Sequence, residues 1–130
     1  MQNTLPRREL IRTKDYMRYA SDDRYCAYGN FLDRFVECGN TGRQWIIMDR
    51  PDDDDTLPID AAKLAATVEV LVKKYDLEMP NWVMDPRYIL KEPYYGSATS
   101  KEFQRVLKET APPEFARRNV FLGDNCMSRA

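Results

Sequence analysis

Residues 61–78 read AAKLAATVEVLVKKYDLE. Alanine, leucine, lysine and glutamate are strong helix formers, and Ala61, Leu64, Val68, Leu71 and Tyr75 recur along one helical face. The spacing predicts a helix beginning near Asp60. Lys73 and Lys74, close to its end, complement the negative pole of the helix dipole. This segment decides the fold class, and the chain on either side reads as its packing partners.

Upstream, Thr4-Leu5-Pro6 offers a hydroxyl cap followed by a proline suited to a first turn, leading into RRELIRTKDYMRYA, in which Leu10, Ile11 and Met17 can share a face. Ser21-Asp22-Asp23 then reads as a second helix start, because short oxygen-bearing side chains accept from orphan amides and early aspartates favour the positive pole. That helix should run to Cys38. Tyr25, Tyr28, Leu32 and Phe35 form its apolar stripe, with Phe31 and Val36 beside them and Gly39-Asn40 as its stop. Residues 40–59 are irregular, punctuated by Gly42 and Pro51. They predict a loop with a short turn or strand around Trp45 to Met48.

Downstream, Pro80, Pro86 and Pro93 make residues 80–96 a stretch of extended turns, with at most a short helix at Trp82 to Met84. Ser97 to Ser100 supply caps for a helix KEFQRVLKET, whose Phe103, Val106 and Leu107 share a face. Pro112 and Pro113 end it and can open a further short helix, before NVFL as a short strand or docked tail. The expected fold is therefore mainly α. It is one compact domain over residues 1–130, four or five helices around a Leu/Val/Tyr/Phe core, with an irregular proline-rich segment and a docked C-terminal tail.

Composition excludes more than it assigns. Among 130 residues, 20 Lys and Arg nearly balance 21 Asp and Glu, so no global basic field exists to hold a polyanion. No window approaches the roughly eighteen apolar residues of a membrane helix, and the first residues lack a secretory pattern. A soluble, cytoplasmic protein is expected, with no membrane partner. Cys26, Cys38 and Cys126 are odd in number and widely spaced, as expected of reduced thiols. The chain has no histidine. That removes Ser/His/Asp and Cys/His nucleophilic sets, the HExxH helix and histidine-ligated metals. None of the five glycines falls in a phosphate-binding loop, so no cofactor and no catalytic residue is assigned.

Two charged regions define alternative functions. Asp52-Asp53-Asp54-Asp55, with Asp49 and Asp60 nearby, could in principle serve a carboxylate-metal phosphoesterase. Consecutive carboxylates repel, however, and lack the alternating pattern of a calcium loop, so the expectation is a solvated acidic loop and no metal site. Arg7, Arg8, Arg12, Lys14 and Arg18 against Glu9 and Asp15 give the first residues a local excess of positive charge. Arg8 and Arg12 on one face could contact phosphates, and nucleic-acid binding is the second reading. A basic start and an acidic middle also suit oriented contact with a charged protein partner. Of the eight tyrosines, Tyr94 and Tyr95 stand out, set in a turn between Pro93 and Gly96.

The tail carries a family likeness. The run Thr110-Ala111-Pro112-Pro113-Glu114-Phe115-Ala116-Arg117-Arg118-Asn119-Val120-Phe121-Leu122, with Trp82 and Pro93 before it, resembles the C-terminus of small bacterial proteins of unknown function. Some of those are encoded beside toxin-like or nucleotidyltransferase-like partners. The likeness covers residues 110–130, with an echo from 82 onward. It implies an antitoxin-like or accessory protein that works by protein interaction, without catalysis. Tyr94, Tyr95, Arg117, Arg118 and Asn119 are then the candidate partner-binding residues. In the competing structural role, Phe115 and Phe121 anchor the tail while Arg117, Arg118 and Asn119 satisfy nearby carbonyls or carboxylates.

Overall fold

A computed structural model describes residues 12–52, 57–122 and 127. The helix read at residues 61–78 spans Pro58–Tyr75, with proline in its first turn, where a missing N–H is harmless. It ends where Asp76 adopts left-handed backbone (φ 57°, ψ 50°) and the N–H groups of Asp76 and Leu77 both donate to the Val72 carbonyl. Numbered in chain order, the α-helices among the described residues are α1 (Tyr16–Glu37), α2 (Asn40–Ile47), α3 (Pro58–Tyr75), α4 (Lys101–Thr110) and α5 (Pro113–Ala116). The mainly helical fold expected from the sequence is the one found.

α3 is central because it is buried on two sides. Leu64, Ala65, Val68, Leu71 and Val72 join the larger core, which includes Phe31 and Phe35 of α1, Ile46 and Ile47 of α2, and Trp82 and Val83. Ala62 and Ala66, on another face, pack with Phe115 and Val120 of the tail. The sequence spacing showed one stripe; the alanines beside it form a second, where small side chains admit close approach.

α1 contains the helix start predicted at residues 21–23. Asp23 leaves helical geometry (φ −157°, ψ 96°), and its Oδ1 accepts the Cys26 N–H at 3.1 Å, an N-cap inside a continuous element. That hydrogen bond holds the Asp23 carboxyl below its ordinary range. The predicted start at Thr4 to Pro6, with Leu10 and Ile11, lies outside the described residues. The expected stripe needs correction at both ends. The buried face centres on Phe31 and Phe35, leaving Tyr25, at its margin in the first turn after the cap, 84% exposed, and Val36 also exposed.

The larger correction is α2, where a loop or strand was expected. Eight residues with a glycine at position 42 are too few to hold a helix alone. Its neighbours hold it instead. Arg43 donates to the Phe35 and Val36 carbonyls at the end of α1 (3.0 and 2.7 Å) and lies over the Tyr75 ring at 4.2 Å. Gln44 exchanges two hydrogen bonds with the Glu78 backbone. Trp82 Nε1 donates to the Ile47 carbonyl at 2.9 Å, and Thr13 Oγ1 donates to those of Ile46 and Asp49. Ile46 and Ile47 are fully buried, whereas Trp45 and Met48 face outward.

The proline-rich segment forms 3-10 turns at Asn81–Met84 and Pro86–Tyr88. Ser100 caps α4, its Oγ accepting the Phe103 N–H at 3.3 Å. Only Leu107 of the α4 stripe is buried. Phe103 and Val106, expected on the packed face, are exposed because the helix meets the domain along its Leu107 side.

The tail docks as predicted in outline. Asn119 takes left-handed backbone (φ 64°), a conformation asparagine tolerates. Its Nδ2 donates to the Leu90 carbonyl at 2.7 Å. Tyr94 and Val120 form an isolated parallel bridge, with Tyr94 N–H donating to Asn119 and Phe121 N–H donating to Tyr94. Tyr95 stacks on Phe121 at 5.4 Å.

A charge network ties this tail to α3. Glu69 and Arg118 are each 2% exposed, and Arg118 Nη1 donates to Glu69 Oε1 at 2.7 Å. Arg118 also donates to the carbonyls of Glu114 (2.7 Å) and Val83 (2.8 Å), joining α3, α5 and the first 3-10 turn after α3. The second Glu69 oxygen receives Arg117 at 2.7 Å and Lys73 at 3.2 Å, and Lys73 reaches Glu114 at 3.0 Å. Burial opposes the charge on Glu114, but a hydrogen bond from its own backbone amide, with Lys73 and Arg117, holds its carboxyl below the ordinary range. Hydrogen bonding to Glu114 and then to Glu69 raises Lys73.

Arg118→Ala should lower folding stability by about 3–5 kcal/mol, because it removes the buried partner of Glu69 Oε1 and the donor to the Val83 and Glu114 carbonyls. Arg117→Ala, at a side chain 42% exposed, should cost below about 1 kcal/mol. Chemical denaturation of the two variants measures both. The Glu114 contribution should be fully present above the free carboxylate pKa, near about 4.3, and be lost as pH falls through the depressed value. That of Lys73 should persist below about 10.4 and be lost as pH rises through its raised value. Thermal melts from acid to alkaline pH should show both limbs, and Glu114→Gln should flatten the acid one.

Candidate functional site

A concavity among the described residues lies where α1, the start of α3 and the segment 89–97 meet. It has two adjoining lobes of about 460 and 540 Å³, which share Pro58, Ile59 and Tyr94. In the first lobe α1 contributes Arg24 and Tyr25, and α3 contributes Asp60 and Lys63, one turn apart. Gly96 and Ser97 complete this wall with Leu122. Gly96 has φ 66°, a backbone conformation that favours glycine, and a Cβ there would crowd Leu122 Cδ2 at 3.2 Å. Arg87, Ile89, Leu90, Lys91 and Glu92 line the second lobe.

Local chemistry fixes the walls. Arg24 Nε lies 3.2 Å from Asp60 Oδ1, bridging α1 to the first turn of α3. Lys63 Nζ sits 4.0 Å over the Tyr28 ring. The Tyr28 hydroxyl is 2.8 Å from Thr67 Oγ1, which itself donates to the Lys63 carbonyl; Tyr28 is therefore the donor to Thr67. Behind this wall burial pushes the Tyr16 phenol far up, with Tyr28 and Asp60 adding to the effect, so it stays protonated at physiological pH. Among the described residues the cleft thus offers rings, fixed charges and the Ser97 hydroxyl.

Of the residues singled out in the sequence, Tyr94 lines both lobes. Tyr95 is half-buried on Phe121. Arg117 is partly exposed but tied to Glu69; Arg118 is enclosed; Asn119 is held to Leu90. The structure therefore brings none of the last three into the cleft. Arg12 donates to Asp49 Oδ2 at 2.8 Å and to the Trp45 carbonyl at 3.2 Å, and its guanidinium lies 4.1 Å over the Trp45 ring. Arg8 lies outside the described residues, as do Asp53, Asp54 and Asp55. Among the described residues no group of three or more histidines, cysteines, aspartates or glutamates gathers as a metal site. No helix among them is long and apolar enough to cross a membrane.

Sequence reasoning missed Arg24, Tyr25 and Lys63. Tyr25 read as core, and nothing in spacing brings residues 24 and 63 together; only the packing of α1 on α3 does so. Compared with family models, with curated proteins and with solved structures, the chain matches none.

Two substitutions separate the cleft surface from its support. Tyr25→Ser should leave folding stability within about 0.5 kcal/mol, since the ring is solvated. Tyr28→Phe should lose about 1 kcal/mol with the Thr67 hydrogen bond. Urea denaturation of both variants checks the contrast.

Proposed function

We propose that this chain is a protein-interaction module of the accessory, antitoxin-like kind, which takes a segment of a partner protein into the cleft between α1, the start of α3 and residues 89–97. The single observation that carries the reading is Tyr25, a ring 84% exposed to water on the wall of a cleft that also contains Tyr94. A monomer gains nothing in stability from a solvated ring, whereas tyrosine at a contact surface supplies large amphipathic area at low entropic cost. The two lobes form a trough suited to an extended segment more than to one small ligand. The bacterial and antitoxin-like part of the reading rests on the resemblance of the tail. Of the two arginines of the nucleic-acid reading, Arg12 is engaged with Asp49 and Trp45, and Arg8 lies outside the described residues.

Affinity capture from the source cells should retain one discrete polypeptide on the wild-type chain and lose it on the Tyr25→Ala/Tyr94→Ala variant, with the fold of the variant verified by circular dichroism. Retention of the same polypeptide by both chains would remove the cleft from the reading.

A further inference from the structure

We infer that the segment received by the cleft is an acidic stretch of the partner protein, with carboxylates spaced along it and aliphatic or aromatic side chains between them; this rests on the proposed interaction role. Among the described residues, Arg24, Lys63, Arg87 and Lys91 line the two lobes against the carboxylates of Asp60 and Glu92, with Asp85 beside them 3.7 Å from Arg87. Asp60 already faces Arg24 at 3.2 Å. The whole chain carries a formal charge of −1, so this local positive excess is created by folding and not by composition.

The cations are also divided between the lobes. Arg24 and Lys63 border one, Arg87 and Lys91 the other, and the shared residues Pro58, Ile59 and Tyr94 give largely apolar surface between them. A ligand matching this pattern has negative charge at both ends of an apolar centre. Ile89, 47% exposed in the second lobe, extends the apolar surface that such a ligand would cover. Like-charged segments are repelled by the same field, so the pattern selects as well as attracts. A nucleic acid fits less well. So small a positive excess is far below the run of cations that holds a phosphate backbone.

The test titrates the full chain with fluorescein-labelled peptides of alternating glutamate and leucine, or with glutamine or lysine in place of glutamate. Fluorescence anisotropy is the readout. The glutamate peptide should bind at least about tenfold tighter than the lysine peptide, and its affinity should fall as salt rises. Lys63→Glu should erase that preference. Lys91→Glu, at an exposed residue, should weaken it even if the Lys63 variant folds poorly, while Arg105→Glu on exposed α4 should leave it unchanged. Equal binding of the glutamine and glutamate peptides, both weakened by Tyr94→Ala, would overturn the acidic specificity while leaving the cleft as the contact site. No binding of the glutamate peptide, or tighter binding of a single-stranded oligonucleotide, would overturn the inference as well.

Discussion

The buried pair between Glu69 and Arg118 organises this molecule. Glu69 lies in the middle of the central helix, where neither oxygen can reach bulk water, so its charge must be met from within the protein. Arg118 meets it from the tail. In the same geometry its planar guanidinium donates to the carbonyls of Val83 and Glu114, satisfying backbone groups of two other segments. One side chain thereby sets the distance between α3, α5 and the turn at residues 81–84. Arg117 and Lys73 share the second oxygen of Glu69, and the network grades outward from enclosed to solvated. A buried ion pair of this kind is a device for fixing one arrangement more than a source of net stability.

Placing the tail has a consequence at the opposite end of residues 118–122. Asn119 and Val120 hold the backbone at Leu90 and Tyr94, and Leu122 packs close to Gly96. The segment that supplies Tyr94 to the cleft is thus positioned by the residues that follow Arg118. The opposite wall depends on α1, whose cap at Asp23 starts a new helical run just before Arg24 and Tyr25. The cleft is therefore a product of three separate chain segments, each fixed by a different polar contact. Arg24 and Lys63 help to hold its walls through Asp60 and the Tyr28 ring, while the exposed Tyr25 ring has no part in the buried core.

That division bears on how the tail is read. Arg118 and Asn119 belong to the run of residues whose pattern led the sequence reading to expect a family likeness. In the fold they work as an internal staple, and the proposed recognition rests on neighbouring residues such as Tyr94. A sequence pattern kept for docking a tail and one kept for binding a partner look alike when written as a string, since arginine and asparagine serve both with the same donors.

Much of the secondary structure was legible in the sequence because its causes are local. Helix formers and period gave α3, a short acidic side chain gave the restart of α1 at Asp23, Ser100 gave α4, and the prolines gave the turns between them. α2 was illegible because its stability comes from Arg43, Gln44, Trp82 and Thr13 bonding across the fold, and no local signal outweighs Gly42 in eight residues. Tyr25, Val36, Phe103 and Val106 fit apolar stripes yet stand in water, because a stripe states which face is apolar and not how much of it a neighbour covers. The sequence by itself determined the helical class, most helix starts, and the absence of histidine chemistry. Only the tertiary structure decided which charges are buried, which rings are exposed and which cations share a cleft, since each depends on distances between residues far apart along the chain.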